Sequence, residues 1–301
     1  MRADYCESGL LPGEPEAVEA GYRSAAHGSP RTRTAALVRK RLGLLIGETM
    51  NTVKTLTPIR REPELLGQTV VVIGGSSGIG LETARRARTE GARVILTGRN
   101  PERLKRAAKE VEAESTAAFD ATDPLAIERF FHDLPTVDHV MVTAGRPYYG
   151  RLVDMDFNEV RHLMAEHLLQ ALYVARSAMN KVRPGGTLIL MGGTGGRRPA
   201  IGMNIAGAVT AALPNLTANL AVEIAPVRVN LIAAGFVDTP LSAELLGDQL
   251  ENRRDHLRTT LPIRRVVGPK DVASLAVHIM TNTALTGATY DVDGGQQFVA
   301  A

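Results

Sequence analysis

Tryptophan is missing from this 301-residue chain, and aromatic residues make up only 4% of it. So sparse a set offers no stacking platform for nucleic acid, which needs aromatics interleaved with a basic stripe. A single cysteine, Cys6, excludes an internal disulfide and a cysteine metal site, and it fits a reducing, cytoplasmic setting. The seven histidines show no His-x-x-x-His spacing, so no metal is expected. No apolar run is expected to reach the length of a membrane span. A more local emptiness lies in the second half. Lysine is absent between Lys181 and Lys270, tyrosine between Tyr173 and Tyr290, and serine between Ser177 and Ser242. Where those gaps overlap, the chain has no phenol, no primary amine and no serine hydroxyl.

What is present suits one α/β domain with a substantial core: 44% of residues are hydrophobic and 22% charged. The net charge is only +3, and the excess is mostly arginine in scattered pairs such as Arg60-Arg61, Arg197-Arg198, Arg253-Arg254 and Arg264-Arg265. Dispersed in this way it reads as a solvated face, with no nucleic-acid partner expected. Residues 1–49 mix glycine, proline and acids without a hydrophobic period and read as a disordered extension, with Met50 as an alternative start. A basic segment from Arg31 to Arg41 precedes the short run Leu42–Ile46. It lacks the order of a secretory signal, and the bland tail is preferred over a membrane-surface helix.

Residues 50–301 form the expected domain. Continuous apolar runs at 69–73, 93–96, 116–119, 139–142, 187–191, 227–233 and 288–292 read as strands covered on both faces. Helical spacing fills 81–90, 101–114, 125–133, a long stretch at 157–182, and 205–224, where Pro214 should kink or interrupt the ladder. Alternating βα units specify a Rossmann-type, doubly wound parallel sheet with helices on both faces.

The strongest motif is Gly74-Gly75-Ser76-Ser77-Gly78-Ile79-Gly80, between the first strand and the first helix. Glycines there bring backbone against a pyrophosphate, and the helix N-terminus offers N–H groups and the positive end of its dipole. NAD-binding chains place an acid at the end of the second strand, about 20 residues on, to hold the ribose hydroxyls. Here the sequence reads Thr97-Gly98-Arg99-Asn100. With no acid and with Arg99 available for a 2′-phosphate, NADP(H) is favoured over NAD(H).

At this point residues 66–299 resemble the short-chain dehydrogenase/reductase family. The resemblance implies that Asp120 and Ala121, in Phe119-Asp120-Ala121-Thr122-Asp123, contact adenine. Thr143-Ala144-Gly145 looks like the end of an Asn-Asn-Ala-Gly motif, with Val142 in place of the first Asn. Arg228-Val229-Asn230 and Gly235–Pro240, with Ala234 where proline is usual, resemble the strand and loop that hold the nicotinamide. Gly74, Ser76, Ser77, Gly78, Ile79, Gly80, Arg99, Asp120, Ala121, Ala144, Gly145, Val237 and Thr239 are thus the implied cofactor residues.

The same resemblance implies a catalytic Ser, Tyr and Lys, yet it places Gly193, Ala206 and Thr210 at those positions and His167 at the relay Asn. The gaps described above make this independent of register. Tyr148, in the loop after the fourth strand, and His167, an imidazole able to change protonation near neutrality, are the replacement candidates. Tyr149 is a weaker one, His162 reads as a surface residue, and Thr194 is the nearest hydroxyl to the altered turn. Arg197 or Arg198 in Gly192–Arg198 would meet an anionic substrate, if that loop is more than a flexible turn. The leading reading is an NADP(H)-dependent oxidoreductase acting on a small carbonyl or alcohol with a non-standard proton donor. A catalytically inactive NADP-binding sensor or regulator stays open, as does a scaffold. The partners expected are a small-molecule substrate, no membrane, and a second copy packed through helices 157–182 and 205–224.

Overall fold

The computed structural model describes residues 61–299, so the readings of 1–49 as an extension and Met50 as a start lie outside the described residues. A seven-stranded sheet runs in the order β3-β2-β1-β4-β5-β6-β7, with every neighbouring pair parallel. Its strands are β1 (Thr69–Ile73), β2 (Arg93–Gly98), β3 (Ser115–Ala118), β4 (Val137–Val142), β5 (Val182–Gly193), β6 (Arg228–Ala234) and β7 (Thr289–Val292). Between them lie α1 (Gly78–Thr89), α2 (Pro101–Val111), α3 (Pro124–Asp133), α4 (Phe157–Met164), α5 (Gln170–Ala178) and α6 (Asn204–Glu223). Three further helices, α7 (Pro240–Leu246), α8 (Leu250–Thr260) and α9 (Pro269–Thr281), separate β6 from β7.

The pleat divides the core in two. Successive residues of β1 point to opposite faces, so Val71 and Ile73 join one cluster while Val70 and Val72 join the other. The first cluster packs under α3, α5 and α6 through Ile127, Phe131, Val174 and Leu213. The second packs under α1, α2 and α9 through Ala84, Ala87, Leu104, Ala107, Val272 and Ala276. All five β1 residues are buried, which is why that strand reads as an unbroken apolar run. Crossing from β1 to β4 reverses the direction in which the sheet is wound, and the loops at the C-terminal ends of these two strands flank the crevice where such sheets take ligands.

Three expectations need refinement. The stretch 157–182 is helical without a break from 157 to 178, but a π-helical turn at Ala165–Leu169 joins α4 to α5, and β5 already begins at Val182. Pro214 interrupts the ladder of α6 at one bond only, and the helix runs 20 residues through it. The ring removes only one donor, so the Thr210 carbonyl loses its helical partner while the rest of the ladder continues. Last, α6 itself is long and apolar enough to cross a membrane by length and composition, with a window hydropathy of 1.4. Its position as the crossover from β5 to β6 and its run of alanines account for that apolarity, and Val209, Leu213 and Leu220 lie in the core.

At the opposite edge of the sheet from the crevice, Arg228 is 6% exposed and donates to the carbonyls of Gly185, Ile279, Met280, Asn282 and Leu285. It caps the C-terminus of α9, where a cation is favoured by the helix dipole. This removes Arg228 from the nicotinamide end that its motif suggested.

His139 on β4 is 3% exposed. Its Nε2 lies 2.7 Å from the Gln68 side-chain oxygen, and its Nδ1 is buried without a hydrogen-bond partner among the described residues. Burial, opposed by the Asp138 charge and helped by that of Arg228, pushes the imidazole down to about 4 from 6.5. The unfolded chain therefore binds a proton that the folded chain refuses between those values. Stability is full above about pH 6.5 and falls as pH drops towards 4, by about 3 kcal/mol from this group. Urea unfolding of wild type and His139→Asn across about pH 7.5 to 4.5 should show the variant less stable at the high end and the gap closing towards the low end. Parallel curves would remove His139 as the source.

Candidate cofactor cleft and catalytic corner

A cleft of about 520 Å³ opens at the C-terminal ends of β1, β2 and β4. Its floor is the turn from β1 into α1, held by an unusually close backbone crossing. Gly74 has φ +91°, and a Cβ there would lie 2.6 Å from the Ala144 nitrogen. A Cβ on Gly80 would lie 2.4 Å from the Gly74 carbonyl oxygen. The Thr143 hydroxyl sits in the space these glycines vacate, 3.0 Å from the Ile73 carbonyl oxygen and 3.2 Å from that of Gly74.

The N-terminus of α1 faces this cleft with its donors unspent. Ser77 occupies the cap position without a side-chain cap bond, and the first turn carries no acid. Instead the Ser77 hydroxyl accepts from Arg103 Nη2 at 2.8 Å. Free N–H groups at the positive end of a helix dipole, approached over side-chain-free glycines, form a seat for a phosphate or pyrophosphate.

Along one wall stand Arg99, Asn100 and Arg103. Asn100 caps α2 by accepting from the Arg103 backbone N–H at 2.9 Å, which fixes where the Arg103 side chain starts. On the adjoining wall is Asp120. Burial works against its charge, but the N–H and hydroxyl of Thr122, with the charges of Arg99 and His162, outweigh this and hold the carboxyl below its usual range. Asp120 thus stands ready as a charged acceptor.

Of the residues implied for the cofactor, Gly74, Ser76, Ser77, Gly78, Ile79, Gly80, Arg99, Asp120, Ala121, Ala144, Gly145 and Thr239 line this one cleft. Val237 does not. Its side chain is 7% exposed and packs in the core, and its backbone bridges Val267. Arg103 lines the cleft too, and sequence reasoning missed it. The signal was there, since Asn100-Pro101 marks a helix start that puts residue 103 in the first turn.

Beyond Gly145 lies a second corner, between the end of β5 and the start of α6. A Cβ on Gly193 would be 3.2 Å from Thr210 Cγ2, and the Thr210 hydroxyl donates back to the Ala206 carbonyl at 2.7 Å. Ala206 is 7% exposed and Thr194 is 4% exposed, so neither stands in an open mouth. His167 approaches Gly145 from the π-helical turn, a feature that often marks functional sites. Its Nδ1 lies 3.0 Å from the Leu163 carbonyl oxygen. A carbonyl only accepts, so Nδ1 carries the proton of the neutral ring and Nε2 keeps its lone pair. That Nε2 would be 3.5 Å from a Cβ on Gly145. Tyr148 behaves differently: its ring folds over Gly150, and its hydroxyl makes no hydrogen bond among the described residues.

Residues 73–297 match the family model described as enoyl-(acyl carrier protein) reductase. The chain belongs to the short-chain dehydrogenase/reductase family. Among its curated relatives is carbonyl reductase family member 4 of Xenopus tropicalis, 28% identical over 234 residues, covering 75% of this chain and 96% of the relative. A small-chain dehydrogenase solved in complex with NADPH superposes with a TM-score of 0.67 at 26% identity, covering 77% of this chain and 99% of that one. BdcA, also solved in complex with NADPH, gives a TM-score of 0.70 at 27% identity, covering 77% and 95%.

Gly193, Ala206 and Thr210, the positions that the sequence reading aligns with Ser, Tyr and Lys, stand together in this corner. The arginines of the loop after β5 are engaged within the chain. Arg197 pairs with Asp291 and bonds Gln297, while Arg198 donates to the carbonyls of Gln296 and Val299 at 2.7 and 2.8 Å.

The floor of the cleft gives a direct test. Gly80→Ala must push backbone against backbone, so it should destabilise the domain by about 1–3 kcal/mol, seen as a lower urea midpoint. An unchanged midpoint would mean that the β1–α1 turn yields more easily than these distances imply.

Proposed function

We propose that the protein is an NADP(H)-dependent oxidoreductase of a small carbonyl or alcohol in which His167, not a tyrosine, handles the proton at the reacting oxygen. The observation that carries it is the cleft itself: an uncapped helix N-terminus over Gly74, Gly78 and Gly80, beside Arg99 and Arg103 and with no acid at the end of β2. The NADPH in the solved complexes of related chains supports the same reading. The α1 N–H groups would hold the pyrophosphate, Asp120 and Ala121 the adenine side, and Arg99 with Arg103 a 2′-phosphate. Thr239, Ala144 and Gly145 would flank the far end. The nicotinamide, when bound, supplies or takes up the hydride.

His167 then serves the oxygen. With Nδ1 anchored on Leu163, its Nε2 lone pair takes the proton from an alcohol, and the protonated ring returns one to a nascent alkoxide in the reductive direction. A positioned acid or base of this kind contributes about 10²–10⁴-fold. Holding donor and acceptor together is a separate, comparably large contribution that does not need the missing tetrad. A homo-oligomer through α5 and α6 belongs to this reading, since Leu172 is 41% and Val222 81% exposed on those helices.

The loss of hydroxyl and amine at Gly193, Ala206 and Thr210 supports a second reading, a catalytically inactive NADP-binding regulator. Equilibrium titration followed by turnover against a carbonyl panel separates the two. NADPH should bind, and Arg103→Ala should weaken it by about 10–100-fold while leaving NADH binding unchanged. His167→Ala should lower kcat by about 10²–10⁴-fold at unchanged NADPH affinity, with Tyr148→Phe costing less. Binding without any turnover favours the regulator, and no binding of either nucleotide defeats both readings.

A further inference from the structure

Two of the arginine pairs in the sequence come together beside the far end of the cleft, and each pair is divided in the same way. In the first, Arg254 is neutralised by Asp238, at 2.7 Å, and by Glu251. Its neighbour Arg253 has no hydrogen bond and no carboxylate partner among the described residues. In the second, Arg197 takes Asp291, and Arg198 is left to backbone carbonyls alone. Asp291, Asp238 and Glu251 are therefore spent on Arg197 and Arg254, and Asp293 accepts from the Gly295 and Gln297 backbone N–H groups, so Arg198 and Arg253 have no ion-pair partner among the described residues.

A short chain of contacts links the two bare arginines. The Arg253 guanidinium carbon lies 6.0 Å from the centre of the Phe236 ring. The Phe236 backbone N–H donates to the Gln296 side chain at 2.8 Å, and the Gln296 carbonyl accepts from Arg198. Phe236 follows the end of β6 and precedes Thr239, which lines the cleft. Burial, Arg198 and Tyr149 all act on Arg253: the first two push its guanidinium down and the third opposes them. Two half-buried cations held near each other without a counter-ion cost energy in the free protein unless an anion completes them.

Resting on the oxidoreductase reading, we infer that Arg253 is the carboxylate-recognition residue of the substrate site, and that the preferred substrate is an oxo acid or hydroxy acid. A planar guanidinium with all its donors free presents a fork that matches a carboxylate in two parallel bonds, and the Phe236 face behind it holds that fork in place. Tyr149, on the loop four residues past Gly145, supplies a phenol on the same side.

The test uses phenylglyoxylate and its methyl ester, which share a ketone and differ in the charge. Calorimetric titration without cofactor should show the acid binding about tenfold or more tighter than the ester. Arg253→Ala should bring the acid to the ester's level and Arg253→Lys should recover part of the difference. Arg258→Ala, whose exposed arginine pairs with Asp255 on the same helix, should change nothing. A variant whose circular dichroism matches wild type but keeps the acid preference overturns the assignment, as does equal or undetectable binding of acid and ester to wild type. The two proposals fail separately. NADPH binding and ester reduction without acid preference sink only the carboxylate site. Acid preference without NADPH binding sinks only the oxidoreductase.

Discussion

The cleft depends on one close approach: the first turn of α1 lies against the backbone it has just left. Gly80 could not bear a Cβ, because it would meet the Gly74 carbonyl oxygen at 2.4 Å and the Thr143 hydroxyl at 2.5 Å. Thr143 closes the arrangement from β4 by bonding both the Ile73 and Gly74 carbonyls. With β1 and β4 hydrogen-bonded as neighbours, the turn, the helix N-terminus and the Ala144–Gly145 wall become one rigid piece. The helix dipole can then act on an anion at fixed distance, which is worth far more in a shaped, partly enclosed site than in water.

That construction separates two jobs along the sheet. The candidate cofactor cleft rests on β1, α1, β2 and β4, whereas Gly193, Ala206 and Thr210 lie between the end of β5 and α6. A change of side chain at those three positions leaves the cleft untouched, because no contact of its floor runs through them. The gap is also closed rather than left open. Ala206 is buried, and the Thr210 hydroxyl satisfies itself on the preceding turn. A buried polar group has to find a partner. Here the Thr210 side chain does so locally, and His167 brings the nearest side-chain atoms to Gly145 among the described residues.

How far the sequence reached follows from which physical effect fixed each element. Residues 69–73 read off without error because a strand covered on both faces shows as an unbroken apolar run. The glycine motif also read through to its site, since close approach admits no other residue. The stretch 157–182 shows only helical spacing, and nothing in its composition distinguishes an α-turn from the π-turn that aims His167. Val237 lies off the cleft lining because a motif says which loop is near a ligand but not which way its side chains face. Arg228 stands at the start of β6, the far end of the strand from that loop. Two of the helices after β6 escape a periodic reading because one is short and the other strongly polar: α7 has 7 residues and α8 buries only Leu257, whereas α9 runs 13 residues with Val272, Ala276 and Ile279 in the core. Above all, pairing was invisible. Five adjacent-arginine pairs look alike in sequence, and only the fold shows that Arg85 and Arg86 both find acids while Arg197-Arg198 and Arg253-Arg254 are each divided.

Charge then explains why a nearly neutral chain can favour anions. The formal net charge is only +3, so any attraction must come from where compensation fails and not from the total. At the adenine end, Arg99 and Arg103 meet no carboxylate in a salt bridge among the described residues, and Arg103 is held by the Ser77 hydroxyl alone. At the other end, Arg198 and Arg253 are left bare by their own neighbours. The uncapped α1 N-terminus lies at the cleft with positive potential of its own. Field lines from such a series are focused by the low-dielectric walls of a cleft, and they raise the local concentration of an anionic ligand without making the surface generally basic. Exposed arginines elsewhere, such as Arg258 beside Asp255 and Arg265 beside Asp271, are paired and contribute little at a distance. The selectivity of this surface therefore lies in which carboxylates are missing.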